Sequence, residues 1–106
     1  MNRQLQINHF VAQAHQLALQ RLRENPARMA EPKAQLARWR AMSGSTRSEI
    51  YWNEWDDLLA GTVDALATAV CADTDHATVL RSVSPMSVLI TQAERAQLID
   101  QSRRLA

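Results

Sequence analysis

Glycine is scarce in this chain of 106 residues. Only Gly44 and Gly61 occur, with three prolines. A β-sandwich or barrel needs many tight turns built from Gly, Pro and Asn-Gly pairs, so the scarcity argues against an all-β fold. Cysteine is scarcer still. Cys71 stands alone, and no intrachain disulfide can form. Small secreted domains usually carry paired cysteines, so the expected location is cytoplasmic. No window approaches the roughly 18 apolar residues that cross a bilayer. Met1-Asn2-Arg3-Gln4 leads into a polar amphipathic stretch rather than the apolar run of a signal peptide, and no membrane association is expected. Lysine is nearly missing. Lys33 is the one lysine among twelve basic residues. The arginine bias fits either a GC-rich genome or recognition of phosphate.

What is present favours helix. Alanine, leucine, glutamine and arginine dominate, and all four are good helix formers. Hydrophobic residues make up 46% and charged ones 22%, as in an ordinary globular domain. The expectation is therefore a single all-α domain over residues 1–106, a compact bundle of five to six short helices.

The periodicity places them. Ile7, Phe10, Val11, Ala14, Leu17, Ala18 and Leu22 recur at helical spacing and predict a first helix from 4 to about 24. Asn25-Pro26 ends it and opens a second, to about 42, with Met29, Leu36 and Trp39 on one face. Pro32 either kinks this helix or starts it. Ser43-Gly44-Ser45 is a clear break, and Thr46-x-x-Glu49 follows as a capping box for a third helix over about 47–60. The short connection predicts that the second and third helices form an antiparallel hairpin. Thr62 caps a fourth helix to about 72, and Asp73-Thr74-Asp75 turns into a fifth to about 82. Ser84-Pro85 interrupts it, and Met86 to Ile90 reads as one helical turn or an extended link. Thr91-x-x-Glu94 is a second capping box, heading a last helix to about 104 with Ala96, Ile99 and Leu105 packed inward.

Charge is segregated along the chain. Residues 1–47 hold eight basic and two acidic side chains; residues 48–80 hold seven acidic and none basic; residues 81–106 hold four basic and two acidic. One consequence is internal. Arg28, Lys33, Arg38 and Arg40 can face Glu49, Glu54, Asp56 and Asp57 across the hairpin, with each exposed pair worth only ~0–1 kcal/mol. The other is external, a polar interface with a partner or with a second copy in a dimer.

Catalytic and metal motifs are absent. His9 and His15 are six apart and lie on different faces of a helix, and Asp73 and Asp75 beside His76 read as caps and turn residues. There is no His-x-x-x-His, Cys-x-x-Cys, EF-hand loop, P-loop or dinucleotide fingerprint, so no metal and no cofactor is expected. Cys71 follows Val70 on an apolar face and reads as a small core residue. A helix-turn-helix would use the third helix to read DNA, but Glu49, Glu54, Asp56 and Asp57 on it would repel phosphate. A basic strip of Arg21, Arg23, Arg28, Arg38 and Arg40 is the alternative route to nucleic acid, and it would predict weak, salt-sensitive binding. Trp39, Trp52 and Trp55 are three of only five aromatics. They are expected in the core, with Tyr51 the aromatic left more exposed.

Ala37-Arg38-Trp39, Tyr51, Glu54-Trp55, Leu58-Leu59, Arg81-x-x-Ser84-Pro85-Met86 and Glu94-Arg95 together resemble a group of small uncharacterised bacterial helical proteins. Their genes often sit beside toxin–antitoxin-like or mobile-element genes. Met86 stands where that group tends to have an aromatic. The resemblance implies a bacterial accessory or antitoxin-like role and carries over no functional residue.

The sequence thus points to a non-enzymatic protein that binds another protein, with Arg21, Arg28, Arg38, Arg40, Tyr51, Glu54 and Asp57 as the candidate interface. Nucleic-acid binding through the arginines of residues 21–40 is the alternative.

Overall fold

The computed structural model describes residues 3–44 and 46–104. Those residues form six α-helices and two 3₁₀ turns and no strand. The α-helices are α1 (Arg3–Glu24), α2 (Ala30–Ser43), α3 (Glu49–Ala60), α4 (Val63–Val70), α5 (Asp75–Ser82) and α6 (Gln92–Arg103). One 3₁₀ turn, Pro26–Met29, leads into α2, and the other, Met86–Leu89, precedes α6.

Most boundaries follow local chemistry. Thr62, Thr74 and Thr91 each accept a hydrogen bond from the backbone N–H three residues on, at 3.1 Å, and so begin α4, α5 and α6. At Thr91 the capping box closes fully, because the Glu94 carboxylate accepts the Thr91 N–H at 2.8 Å. Gly44 ends α2 with φ at +64°, a left-handed backbone that suits glycine.

Pro32 turns out to need no kink. The 3₁₀ turn takes up the first residues after Asn25, so α2 begins at Ala30 and Pro32 falls in its first turn. There its missing N–H breaks no bond of α2, and its ring is buried. Thr46 does not cap as expected. Its hydroxyl accepts the Ser48 N–H at 3.2 Å, two residues on, inside a turn, and α3 begins later, at Glu49. Met86–Leu89 resolves as a 3₁₀ turn.

The core gathers Leu22 from α1, Leu36 from α2, Trp55 and Leu59 from α3, Leu66 and Val70 from α4, Leu80 from α5, and Met86 and Leu89 from the last 3₁₀ turn. All are almost wholly excluded from solvent, and each such side chain contributes about 1.5–3 kcal/mol in burial. Trp55 crosses this core, and its indole N–H donates to the Leu80 carbonyl at 3.0 Å. α2 and α3 meet as expected, with Trp39 tilted on Trp52 at 6.2 Å between centroids.

The inward expectations for Ala96 and Cys71 are wrong. A helix arc identifies one apolar stripe, but its neighbours decide which part is covered. Ile50 is 74% exposed and Val79 37%, while Ala77 takes the buried place on α5. Ala96 is exposed, and Ser102 is the buried residue of α6. Leu105 lies outside the described residues. Cys71 is exposed, because α4 stops at Val70 and the chain leaves the helical path at that cysteine.

Candidate functional site

The structure disperses the interface expected from sequence. Both terminal nitrogens of Arg21 grip the Glu94 carboxylate, and one of them also donates to the Leu89 carbonyl at 3.0 Å. This fork fastens the start of α6 to α1. Arg21 together with the Thr91 backbone holds the Glu94 carboxyl down at about 2. Arg23 pairs with Asp64 at 2.6 Å. Arg28 donates twice to Glu31, at 2.7 and 3.0 Å, and lowers that carboxyl below its ordinary value. Arg38 contacts Gln35 on its own helix. Arg40 reaches across to Asn53 and Asp56, each at 2.9 Å. Of the salt bridges foreseen across the hairpin, Arg40–Asp56 is formed. Glu54 binds His76 instead, at 2.8 Å. Tyr51 is half-buried beside His76, and Asp57 is exposed. The arginines of residues 21–40 are thus largely engaged within the molecule.

A different surface emerges beside α1. Arg3, Ile7, Phe10 and Ala14 form one stripe of this helix, at steps of three and four. Arg95, Ile99 and Ser102 form the facing stripe of α6. One hollow lies between them, and a second continues along α1 past Arg95 to the residues around the last 3₁₀ turn. The first, of about 340 Å³, is lined by Arg3, Ile7, Phe10, Ile99 and Arg103. The second, of about 320 Å³, is lined by Phe10, His15, Trp39, Met86 and Arg81. Val11 and Arg95 line both. The Arg95 guanidinium lies over the Phe10 ring, 5.2 Å from its centroid, and separates the two hollows.

This groove has an apolar floor and a cationic border. Among the described residues no carboxylate lines either hollow, whereas Arg3, Arg81, Arg95 and Arg103 all do. The two acids of α6 are turned to other faces and engaged there, Glu94 with Arg21 and Asp100 with Arg104 at 2.8 Å. Arg3, Arg95 and Arg103 have no carboxylate partner among the described residues. Arg81 has a second task. It donates to the Val70 and Ala72 carbonyls, at 2.7 and 3.1 Å, and so closes the C-terminus of α4 with positive charge.

His15 and Ser84 sit at the inner end of the groove. His15 Nδ1 lies 2.8 Å from the Val11 carbonyl, which can only accept, so Nδ1 carries the proton. Nε2 then accepts from the Ser84 hydroxyl at 2.8 Å. Desolvation lowers the His15 pKa most; the Val11 hydrogen bond opposes that, and nearby Arg81 lowers it further. A serine hydrogen-bonded to an imidazole has the geometry of a nucleophile and its base. Here, however, the Ser84 oxygen also accepts the Met86 N–H at 3.1 Å, in a turn that opens the 3₁₀ segment. The pair joins α1 to that segment. Among the described residues no group of three His, Cys, Asp or Glu side chains is placed to hold a metal ion. No described helix is long and apolar enough to cross a membrane.

Sequence reasoning missed this surface because it used Ile7 and Phe10 only as the periodicity of a first helix and looked for cations within residues 21–40. A signal was available. On α6, Arg95, Ile99, Ser102 and Arg103 fall on an arc from which Glu94 and Asp100 are rotated away.

No family model, curated protein or solved structure matches this chain.

Proposed function

We propose that this protein acts by binding another protein and performs no chemistry of its own, with the groove between α1 and α6 as its contact surface. One observation carries the reading: the groove joins exposed apolar area to arginines that have no acid opposite them. Ile7 is 44% exposed on a helix that otherwise packs against α6. Apolar surface rimmed by charge marks interaction sites on small proteins. Arginine is the cation most enriched at interfaces.

An antitoxin-like or regulatory accessory role in a bacterial cytoplasm is the concrete form of this reading, and the sequence resemblance supports it. The test is affinity capture from the native host with the tagged full chain. A stoichiometric protein partner is expected. Repeated recovery of none, or salt-sensitive capture of nucleic acid alone, would overturn the reading.

A further inference from the structure

We infer that the occupant of the α1–α6 groove is an acidic amphipathic helix of the partner, laid along α1 with its apolar face on Ile7, Phe10 and Ile99 and its carboxylates against Arg3, Arg95 and Arg103. This rests on the protein-binding reading and specifies its chemistry.

Shape comes first. The hollows follow one another along α1, from Arg3 to beyond Ala14. Eleven residues of helix rise about 16 Å, which matches roughly three turns of a docked helix. Two apolar hollows in line accept anchors one or two turns apart, as in helix-in-groove recognition. The described residues contain no strand, so no sheet edge exists on which an extended peptide could add.

Charge then fixes the sign. Arginines stand at both ends of the first hollow and no carboxylate lines it, so a neutral or basic helix would leave these cations without counter-charge. A nucleic acid fits less well. Ile7, Val11 and Ile99 make the floor of the first hollow aliphatic, and Arg95 covers a face of Phe10, its one aromatic ring, on which a base would stack. A second copy fits less well too. The acidic helix of this chain, α3, has already buried Trp52, Trp55 and Leu59 in its own core.

The experiment is an NMR titration of the full chain with a synthetic helical peptide, leucines at i, i+4, i+7 and i+11 and glutamates between. A scrambled peptide of the same composition and a single-stranded oligonucleotide of equal charge serve as controls. Saturable shifts at Ile7, Phe10, Arg95 and Ile99 are expected for the patterned peptide alone. Arg95→Glu with Arg103→Glu should weaken binding roughly tenfold or more. Arg95→Gln with Arg103→Gln, a milder pair, should weaken it less. No saturable shift up to about 1 mM peptide, equal binding of the scrambled peptide, or tighter binding of the oligonucleotide overturns the inference. A host partner captured equally by wild type and by the Arg95→Glu, Arg103→Glu variant overturns the groove while leaving the broader reading standing.

Discussion

His15 and Ser84, 69 positions apart in the chain, are joined by a 2.8 Å hydrogen bond that ties the middle of α1 to the start of the last 3₁₀ turn. The imidazole is 6% exposed and tilted over Trp55 at 6.4 Å between ring centroids. A charged ring there would lose water, face Arg81, and present a second N–H to a hydroxyl that now donates to it. The fold therefore favours the neutral imidazole, chiefly by desolvation.

That arrangement makes stability depend on pH. The folded-state pKa of His15 lies below its ordinary value of 6.5, so the unfolded chain takes up the proton more readily. The contribution is fully present above about pH 6.5 and is lost as pH falls below it. Urea unfolding from about pH 7.5 down to about pH 5 should show a falling midpoint. His15→Leu should flatten the curve in that window. An unchanged slope in the variant would remove His15 as the cause.

Glu94 governs a lower window. Its carboxyl is lowered from 4.5 to about 2, chiefly by Arg21, so its contribution is present above about pH 4.5 and disappears as pH falls through about 2. Glu94→Gln should be less stable than wild type at neutral pH. The two unfolding curves should converge near pH 2. Parallel curves at every pH would show that the Arg21 fork is not the source.

Two tryptophans make a contrast. Trp55 donates to the Leu80 carbonyl, and Trp52 has a buried indole N–H with no partner among the described residues. Trp55→Phe removes a buried hydrogen bond and leaves the Leu80 carbonyl with the Val83 N–H alone, at a cost of about 1 kcal/mol. Trp52→Phe removes a donor that is already unsatisfied and should cost clearly less. Chemical denaturation of both variants decides this, and equal costs would contradict the pairing seen here.

The threonine caps make a second contrast. Thr62→Ala, Thr74→Ala and Thr91→Ala should each lose about 1 kcal/mol, because each hydroxyl serves a free N–H in the first turn of a helix. Thr46→Ala should lose less, since its hydroxyl supports a turn ahead of α3. Thermal melts of the four variants provide the ranking.

Much of the fold was legible in the sequence because its cues are local. Thr91-x-x-Glu94 closes as a capping box wherever the chain turns into helix there, and Gly44 ends α2 because its left-handed backbone suits glycine. The periodic leucines and tryptophans specified helices that must share a core. Thr46-x-x-Glu49 has a matching pattern, yet the chain placed its turn differently, and no neighbouring residue announced that choice.

What sequence alone determined was the helical class, most helix boundaries, and the burial of Leu22, Leu36, Trp55 and Leu66. Tertiary packing decided which cations stayed free. Arg21 and Arg40 found carboxylates 73 and 16 residues away, while Arg3, Arg95 and Arg103 were brought from the two ends of the chain to a groove without acids. Charge pairing depends on distance in space, and a linear pattern reports only distance along the chain.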